Sequence, residues 1–267
     1  MATPAVGGPE EIQRDLTSEA AVCAKKFMRV DEPVKVYRQV ISEHHLGVIN
    51  AAIDRGESSR GREVLDTLPG GVCSPQAVAD LLRRIDAFRM IENEARRAAR
   101  LRATQLVGRA LREEPFHTMR CVGAAEHAHS HRRHFDSHLL TLLVPLQLAD
   151  PSRFNGDLLF YTKRRQSVSL LANVAYKFWH GFLRNLPFAW RCALTCRDLT
   201  RGRCERVPCA VGNVYVFNGF VTQHCNLHVE SGERRSLLIH YYDPGLSMGL
   251  SVAIRTVRGM RDRLHRA

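Results

Sequence analysis

The chain has 267 residues, 45% of them hydrophobic and 25% charged, which is enough for one sizeable core and for one or two domains. No uninterrupted apolar run approaches the roughly 18–20 residues needed to span a bilayer, and MATPAVGGPEEIQRD lacks the charged start and apolar middle of a signal peptide, so the cytoplasm is the expected compartment. A net charge of +12 fits a solvated basic surface or an anionic partner (nucleic acid, an acidic carrier protein, a phosphorylated substrate or a lipid surface) and does not choose among them.

Residues 1–20 are small, polar and acidic and are expected to fray. From EPVKVYRQVISEHHLGVINAAIDRG a helical period is expected, with Val34, Val36, Val40, Ile41, Val48 and Ile49 recurring at compatible spacings. RGESSRGREVLDTLPGGVCSP reads as a loop, and a long helix opens at Ser74 with Pro75 in its first turn. Leu81, Leu82, Ile85, Phe88 and Ile91 make its apolar face, and Arg83, Arg84, Arg96, Arg97 and Arg100 a basic face expected to be solvated.

From about Pro115 the texture changes to short apolar runs bounded by turns. FHTMRCVG, LLTLLVPLQL, GDLLFYTK, SVSLLANVAYKFW, NVYVFNGF and RSLLIHYYD are expected as strands of a sandwich or barrel, with the helical N-terminal half packed outside it. Cys192, Cys196, Cys204 and Cys209 lie close together, but the 3, 7 and 4 residues between successive members match no common zinc finger; reduced, partly buried thiols are the expectation. The tail LSMGLSVAIRTVRGMRDRLHRA reads as a basic amphipathic helix that packs on the parent domain, with contact to a membrane surface as the rival reading.

The histidine-crowded stretch HSHRRHFDSHLLT carries the chemistry. His134 and Asp136 are two apart, and alternate residues of an extended segment share a face, so an imidazole and a carboxylate project side by side. Downstream, a strand and a turn lead to His224, and ten residues later Arg234 begins the pattern R-x-S with Ser236. Two histidines and one carboxylate can hold one face of an octahedral Fe(II) and leave three positions open, while a nearby guanidinium grips a carboxylate bidentately. His228 is a rival to His224 as the distal ligand. His127, His129 and His131 alternate as well, so HAHSH is either a metal site in its own right or part of the substrate entrance, His129 and His131 being the residues expected to touch substrate.

Over residues 115–243, about half the chain, HFDSHLLTLLVPL, FNGDLLFY and HCNLHVESGERRSL together resemble the Fe(II)- and 2-oxoglutarate-dependent dioxygenases, and most closely their prolyl-hydroxylase-like branch. Gly156, Asp157, Val229, Gly232, Arg234, Ser236 and Leu237 fall in register with the pattern of that branch; His228 stands where it usually has proline, and its paired glycine is reduced to Asn155-Gly156. The resemblance implies an α+β chain. Residues 1–114 would form a helical region, 115–244 a double-stranded β-helix (jelly roll), and 245–267 a C-terminal helical tail.

It also implies Fe(II) on His134, Asp136 and His224, with 2-oxoglutarate paired to Arg234 and Ser236 and O2 as the second co-substrate. Related halogenases lose the carboxylate that Asp136 supplies here, so hydroxylation is the implied outcome. Arg234 suits the small-molecule and bacterial relatives, which points to a small-molecule or carrier-bound, and plausibly anionic, substrate of biosynthetic metabolism. The segment after Arg234 lacks the longer signature of the nucleic-acid demethylases, which ranks nucleic acid low. The competing class is a metal-binding jelly-roll or cupin-like protein without catalysis; an oxygenase acting on an anionic lipid or nucleic acid is the third reading.

Overall fold

The computed structural model describes residues 33–57, 74–107, 111, 113–124, 130–150, 156–164, 179, 181–183 and 185–243. The terminal segments, residues 58–73 of the expected loop, the strand expected at SVSLLANVAYKFW, save for Trp179, and His127 and His129 lie outside the described residues.

Two antiparallel sheets form the centre. The larger has the order β1-β6-β3-β8-β2, built from β1 (Lys35–Tyr37), β2 (Phe116–Gly123), β3 (Leu140–Gln147), β6 (Val214–Phe217) and β8 (Glu233–Tyr241). The smaller has the order β5-β4-β7, from β4 (Leu158–Arg164), β5 (Cys204–Val207) and β7 (Thr222–Asn226).

The period of two along each strand sorts its side chains into layers. Leu143, Tyr215, Phe217 and Leu238 of the larger sheet meet Leu158 and Phe160 of the smaller one in an inter-sheet core. Their sequence neighbours Leu142, Val144, Val216, Leu237 and Ile239 point the other way and pack under helices α1 (Glu43–Glu57), α2 (Pro75–Arg83) and α3 (Asp86–Val107). On the far side, Leu159, Tyr161, Cys204, Cys225 and Leu227 form a smaller cluster against Leu199 of α4 (Phe188–Thr200). Among the described residues no helix is long and apolar enough to cross a membrane.

Two expectations for the helical half need correction. Val34 and Val36 belong to no helix: they flank and form β1, which pairs with β6 through Lys35↔Val216, Val36↔Tyr215 and Tyr37↔Val214. Val34 and Val36 turn to the inter-sheet core while Tyr37 packs with the core under the helices, an alternation that a helical reading of the same valines misses. The expected long helix opens as anticipated, Ser74 Oγ accepting from Ala77 N at 3.1 Å with Pro75 in the first turn, but it breaks at Arg84–Ile85. There the amides of Arg84 and Ile85 donate to Leu81 and Leu82, three residues back, tightening the last turn before α3 sets off afresh.

The break changes what Arg83 does. It is not part of a solvated face but grips Glu92, only 2% exposed, through Nε at 3.0 Å and Nη2 at 3.0 Å. Tyr241 of β8 donates its hydroxyl to Glu92 Oε1 at 2.6 Å. This cluster fastens both helices to the strand that also carries Arg234. Glu92→Ala leaves the half-buried guanidinium of Arg83 with only Asp80 as its carboxylate partner and takes the acceptor from the Tyr241 hydroxyl, and is expected to lower unfolding free energy by about 3 kcal/mol, read as a fall in the denaturant midpoint at constant m-value.

The four clustered cysteines do not converge. Cys192 and Cys196 lie on α4, Cys204 packs in the outer cluster, and Cys209 in the inter-sheet core. All four are free thiols, and among the described residues no three of them bring their sulfurs together as a metal-ligating group.

Candidate metal and co-substrate site

His134 and Asp136 precede β3 in a segment that is not a regular strand. Two backbone contacts hold its extended shape: His134 and His224 exchange N–H···O bonds of 3.0 Å in an isolated antiparallel bridge, and Asp136 N donates to Gly219 O at 2.9 Å. His224 lies in β7 opposite Phe160, so it faces the inter-sheet space. Nε2 of His134 and Nε2 of His224 stand 3.6 and 3.5 Å from Asp136 Oδ1. The expected triad is therefore assembled, each residue offering a ligand atom within 4.8 Å of the other two.

Hydrogen bonding settles which ring nitrogens are free for a metal. Nδ1 of His134 lies 2.8 Å from Arg132 O, and Nδ1 of His224 lies 3.0 Å from Thr222 O. A carbonyl only accepts, so both Nδ1 atoms carry hydrogen and both Nε2 lone pairs point at the shared centre. Burial, with His224 beside it, pushes the imidazole of His134 down to about 3. Burial opposes the charged form of Asp136, but His224, His240 and His134 around it outweigh this and hold its carboxyl well below the ordinary range. The site thus brings together two imidazoles and one carboxylate, a donor set that fits Fe(II).

Sequence reasoning missed the groups that aim Asp136. Thr141 donates its hydroxyl to Asp136 Oδ2 at 2.6 Å and accepts from Nδ1 of His240 at 3.0 Å, leaving Oδ1 to face the histidines. His240 could have been found, since Arg234, Ser236, Leu238 and His240 alternate along β8 and share one face. Gly219 could not. A Cβ there would run into Asp136 Oδ2 and lie 2.7 Å from Asp136 Cβ.

Arg234 and Ser236 occupy the inward face of β8. Arg234 is 3% exposed, and burial pushes its pKa down. Its Nη1 donates to Gly156 O, and among the described residues it forms no ion pair. Its Nε and the hydroxyl of Ser236 are buried without a hydrogen-bond partner. Gly156 makes room for this guanidinium: its φ is +68°, and a Cβ would come within 2.5 Å of Arg234 Nη1.

Arg120 of β2, directly opposite Ser236, was not anticipated; its Nε is buried without a hydrogen-bond partner as well. Asp157, by contrast, is structural: it accepts from Arg206 Nε at 2.7 Å and from Cys209 N at 2.9 Å. His131 does not reach the triad but stands beside His228.

No family model matches the sequence, and no curated protein matches it. Solved structures do resemble it. A prolyl-4-hydroxylase of Pseudomonas putida is 14% identical, with 84% of this chain and 98% of that one covered at a TM-score of 0.47. SnoN, a non-heme alpha ketoglutarate dependent epimerase from nogalamycin biosynthesis, is 14% identical over 85% of this chain and 84% of its own, at 0.48. HygX from Streptomyces hygroscopicus, with nickel and 2-oxoglutarate bound, is 13% identical over 79% and 82%, at 0.45. All three likenesses are distant, and the function of this chain is argued from its own residues.

Proposed function

We propose that the chain is an Fe(II)- and 2-oxoglutarate-dependent hydroxylase of the prolyl-hydroxylase-like branch, its two sheets forming the double-stranded β-helix of that family. The observation that carries this reading is the pairing of the two half-sites. A buried guanidinium with no ion pair among the described residues has beside it a buried hydroxyl with no partner, on the same sheet that seats the carboxylate of a two-histidine, one-carboxylate centre. Unsatisfied buried polar groups carry a desolvation penalty of about 1–3 kcal/mol each, more when charged, so their persistence calls for a ligand with a carboxylate.

His134, Asp136 and His224 would hold the iron, and Arg234 with Ser236 would take the far carboxylate of 2-oxoglutarate. Bound there, Fe(II) and 2-oxoglutarate would, together with O2, supply an oxidant for an unactivated C–H bond, 2-oxoglutarate being oxidatively decarboxylated to succinate and CO2. The protein's part is positional. Thr141 and His240 fix Asp136 in one orientation, and Gly156 keeps the guanidinium in register with β8. Phe160 and Phe217, with ring centroids 6.0 and 5.0 Å from that of His224, give the buried ligand an apolar wall that excludes water. His134 is the more open flank, its side chain 21% exposed against 4% for His224.

The substrate we infer is a small molecule, or a group tethered to a carrier, from biosynthetic metabolism. Arg120 supports an anionic one, since it adds a second cation to the inward face next to Ser236. Anaerobic addition of Fe(II) and 2-oxoglutarate tests the site: a visible metal-to-ligand charge-transfer band is expected, absent in Asp136→Ala and weakened in Arg234→Ala. Folded, iron-loaded protein without the band would overturn the oxygenase reading, and a band without succinate release on any substrate screened would favour the non-catalytic one.

A further inference from the structure

Close to the triad, along the same pair of segments, stands a second group of metal-ligating side chains that the proposed chemistry does not use. His131 N donates to Asn226 O at 2.7 Å, continuing the pairing begun by His134 and His224, and this sets His131 against His228. Nε2 of His131 is 3.1 Å from Nδ1 of His228. Cys192, in the second turn of α4, completes the group: one ligand atom from each of His131, Cys192 and His228 lies within 4.8 Å of the other two.

We propose that these three residues bind a second divalent metal of the zinc class, separate from the triad. Two imidazoles and a thiolate are the donors zinc prefers, whereas the triad's two imidazoles and carboxylate suit iron. Bond lengths of about 2.0–2.3 Å put the donors of a tetrahedral zinc about 3.3–3.6 Å apart, so small side-chain rotations bring the group to coordination distance.

Three further observations fit a built site. Glu230 Oε1 lies 3.8 Å from Nε2 of His228, the nitrogen turned away from His131, where a carboxylate orients a metal-bound imidazole. His131 is 4% exposed and has φ +57°, a left-handed backbone that a non-glycine residue keeps only when its surroundings fix it. The Phe188 ring, 5.7 Å from each imidazole centroid, covers the pair, and Arg191 ties α4 to the same turn by donating to Ser130 O at 2.8 Å. Without metal, the two imidazoles are in hydrogen-bond contact with each other. With metal, the thiol is deprotonated on binding, and α4 becomes cross-linked to the segments that carry His134 and His224.

This second site does not depend on the oxygenase reading, and Co(II) separates the two sites because only this one holds sulfur. In Asp136→Ala protein, one equivalent of Co(II) is expected to give an intense near-ultraviolet thiolate-to-cobalt charge-transfer band with the visible bands of a tetrahedral ion. Adding Cys192→Ser should remove them; Cys196→Ser and Cys204→Ser should not. One equivalent of Zn(II) should also raise the thermal midpoint of Asp136→Ala protein and leave that of the Cys192→Ser double variant unmoved, as binding to the folded state requires. Should Asp136→Ala fail to fold, the same comparison runs on wild-type protein, where cobalt in the triad contributes no thiolate band. Folded protein with no such band, a band that survives Cys192→Ser, or a midpoint unmoved by zinc overturns the proposal.

Discussion

Gly219→Ala is expected to weaken Fe(II) binding at the proposed site severely, although Gly219 is not one of the proposed ligands. The new methyl would run into Asp136 Oδ2 and sit 2.6 Å from Cγ and 2.7 Å from Cβ. Rotating the carboxylate cannot relieve a clash that reaches its Cβ, and backing the segment away breaks the 2.9 Å bond from Asp136 N to Gly219 O. The backbone of Gly219 is not left-handed, so alanine is conformationally acceptable there and the effect is steric. Displacing Asp136 also loses the Thr141 hydroxyl that orients it. Disturbing groups around a metal ligand typically weakens affinity about 10–100-fold, and moving the ligand itself should reach at least the upper end of that range. Fe(II) or Co(II) titration measures it, with far-ultraviolet circular dichroism as the check on folding. Affinity within about threefold of wild type would mean that Asp136 is not a ligand.

Arg234→Ala should do the opposite: leave the metal in place and remove the co-substrate. The guanidinium is fully enclosed, so its carboxylate partner would be desolvated by the same walls, and breaking such a pair from one side costs about 3–5 kcal/mol. That converts to roughly 10²- to 10⁴-fold in the 2-oxoglutarate concentration required. Arg234→Lys should recover part of it, because an ammonium restores charge without the planar fork. The measurement is a 2-oxoglutarate titration of the charge-transfer band at fixed iron, with metal affinity followed separately. A variant that lost iron and co-substrate together would place Arg234 in the scaffold rather than in the binding site.

The chemistry was more legible in the sequence than the scaffold was. H-x-D and R-x-S are local patterns, and a period of two puts their members on one face whatever the remote chain does, so His134, Asp136, Arg234 and Ser236 could be named together. His224 was preferred to its rival His228 only through the register of the family resemblance. The role of Gly219 is a property of two segments brought within bonding distance, and Asn218-Gly219 on its own looks like a turn. The strands at 204–207 and 222–226 are short and polar, with partners more than forty residues away in β4, so neither propensity nor alternation announced them. Histidine crowding at 127–131 hinted at metal, but the cysteine that joins His131 comes from a helix that strand-minded reading of that region passed over.

Strand β1 has a consequence for handling the protein. β6 is the run VYVF with all four side chains buried, and β1 alone covers its outer backbone edge, helped by Ile41 N bonding to Gly212 O. Remove residues 33–41 and the residues of the proposed site stay, but an apolar strand is left with a bare row of amides and carbonyls, the feature by which sheets recruit one another into aggregates. N-terminal trimming should therefore stop short of Pro33, and a shortened version that precipitates while still binding metal would have failed at this edge and not at the proposed site.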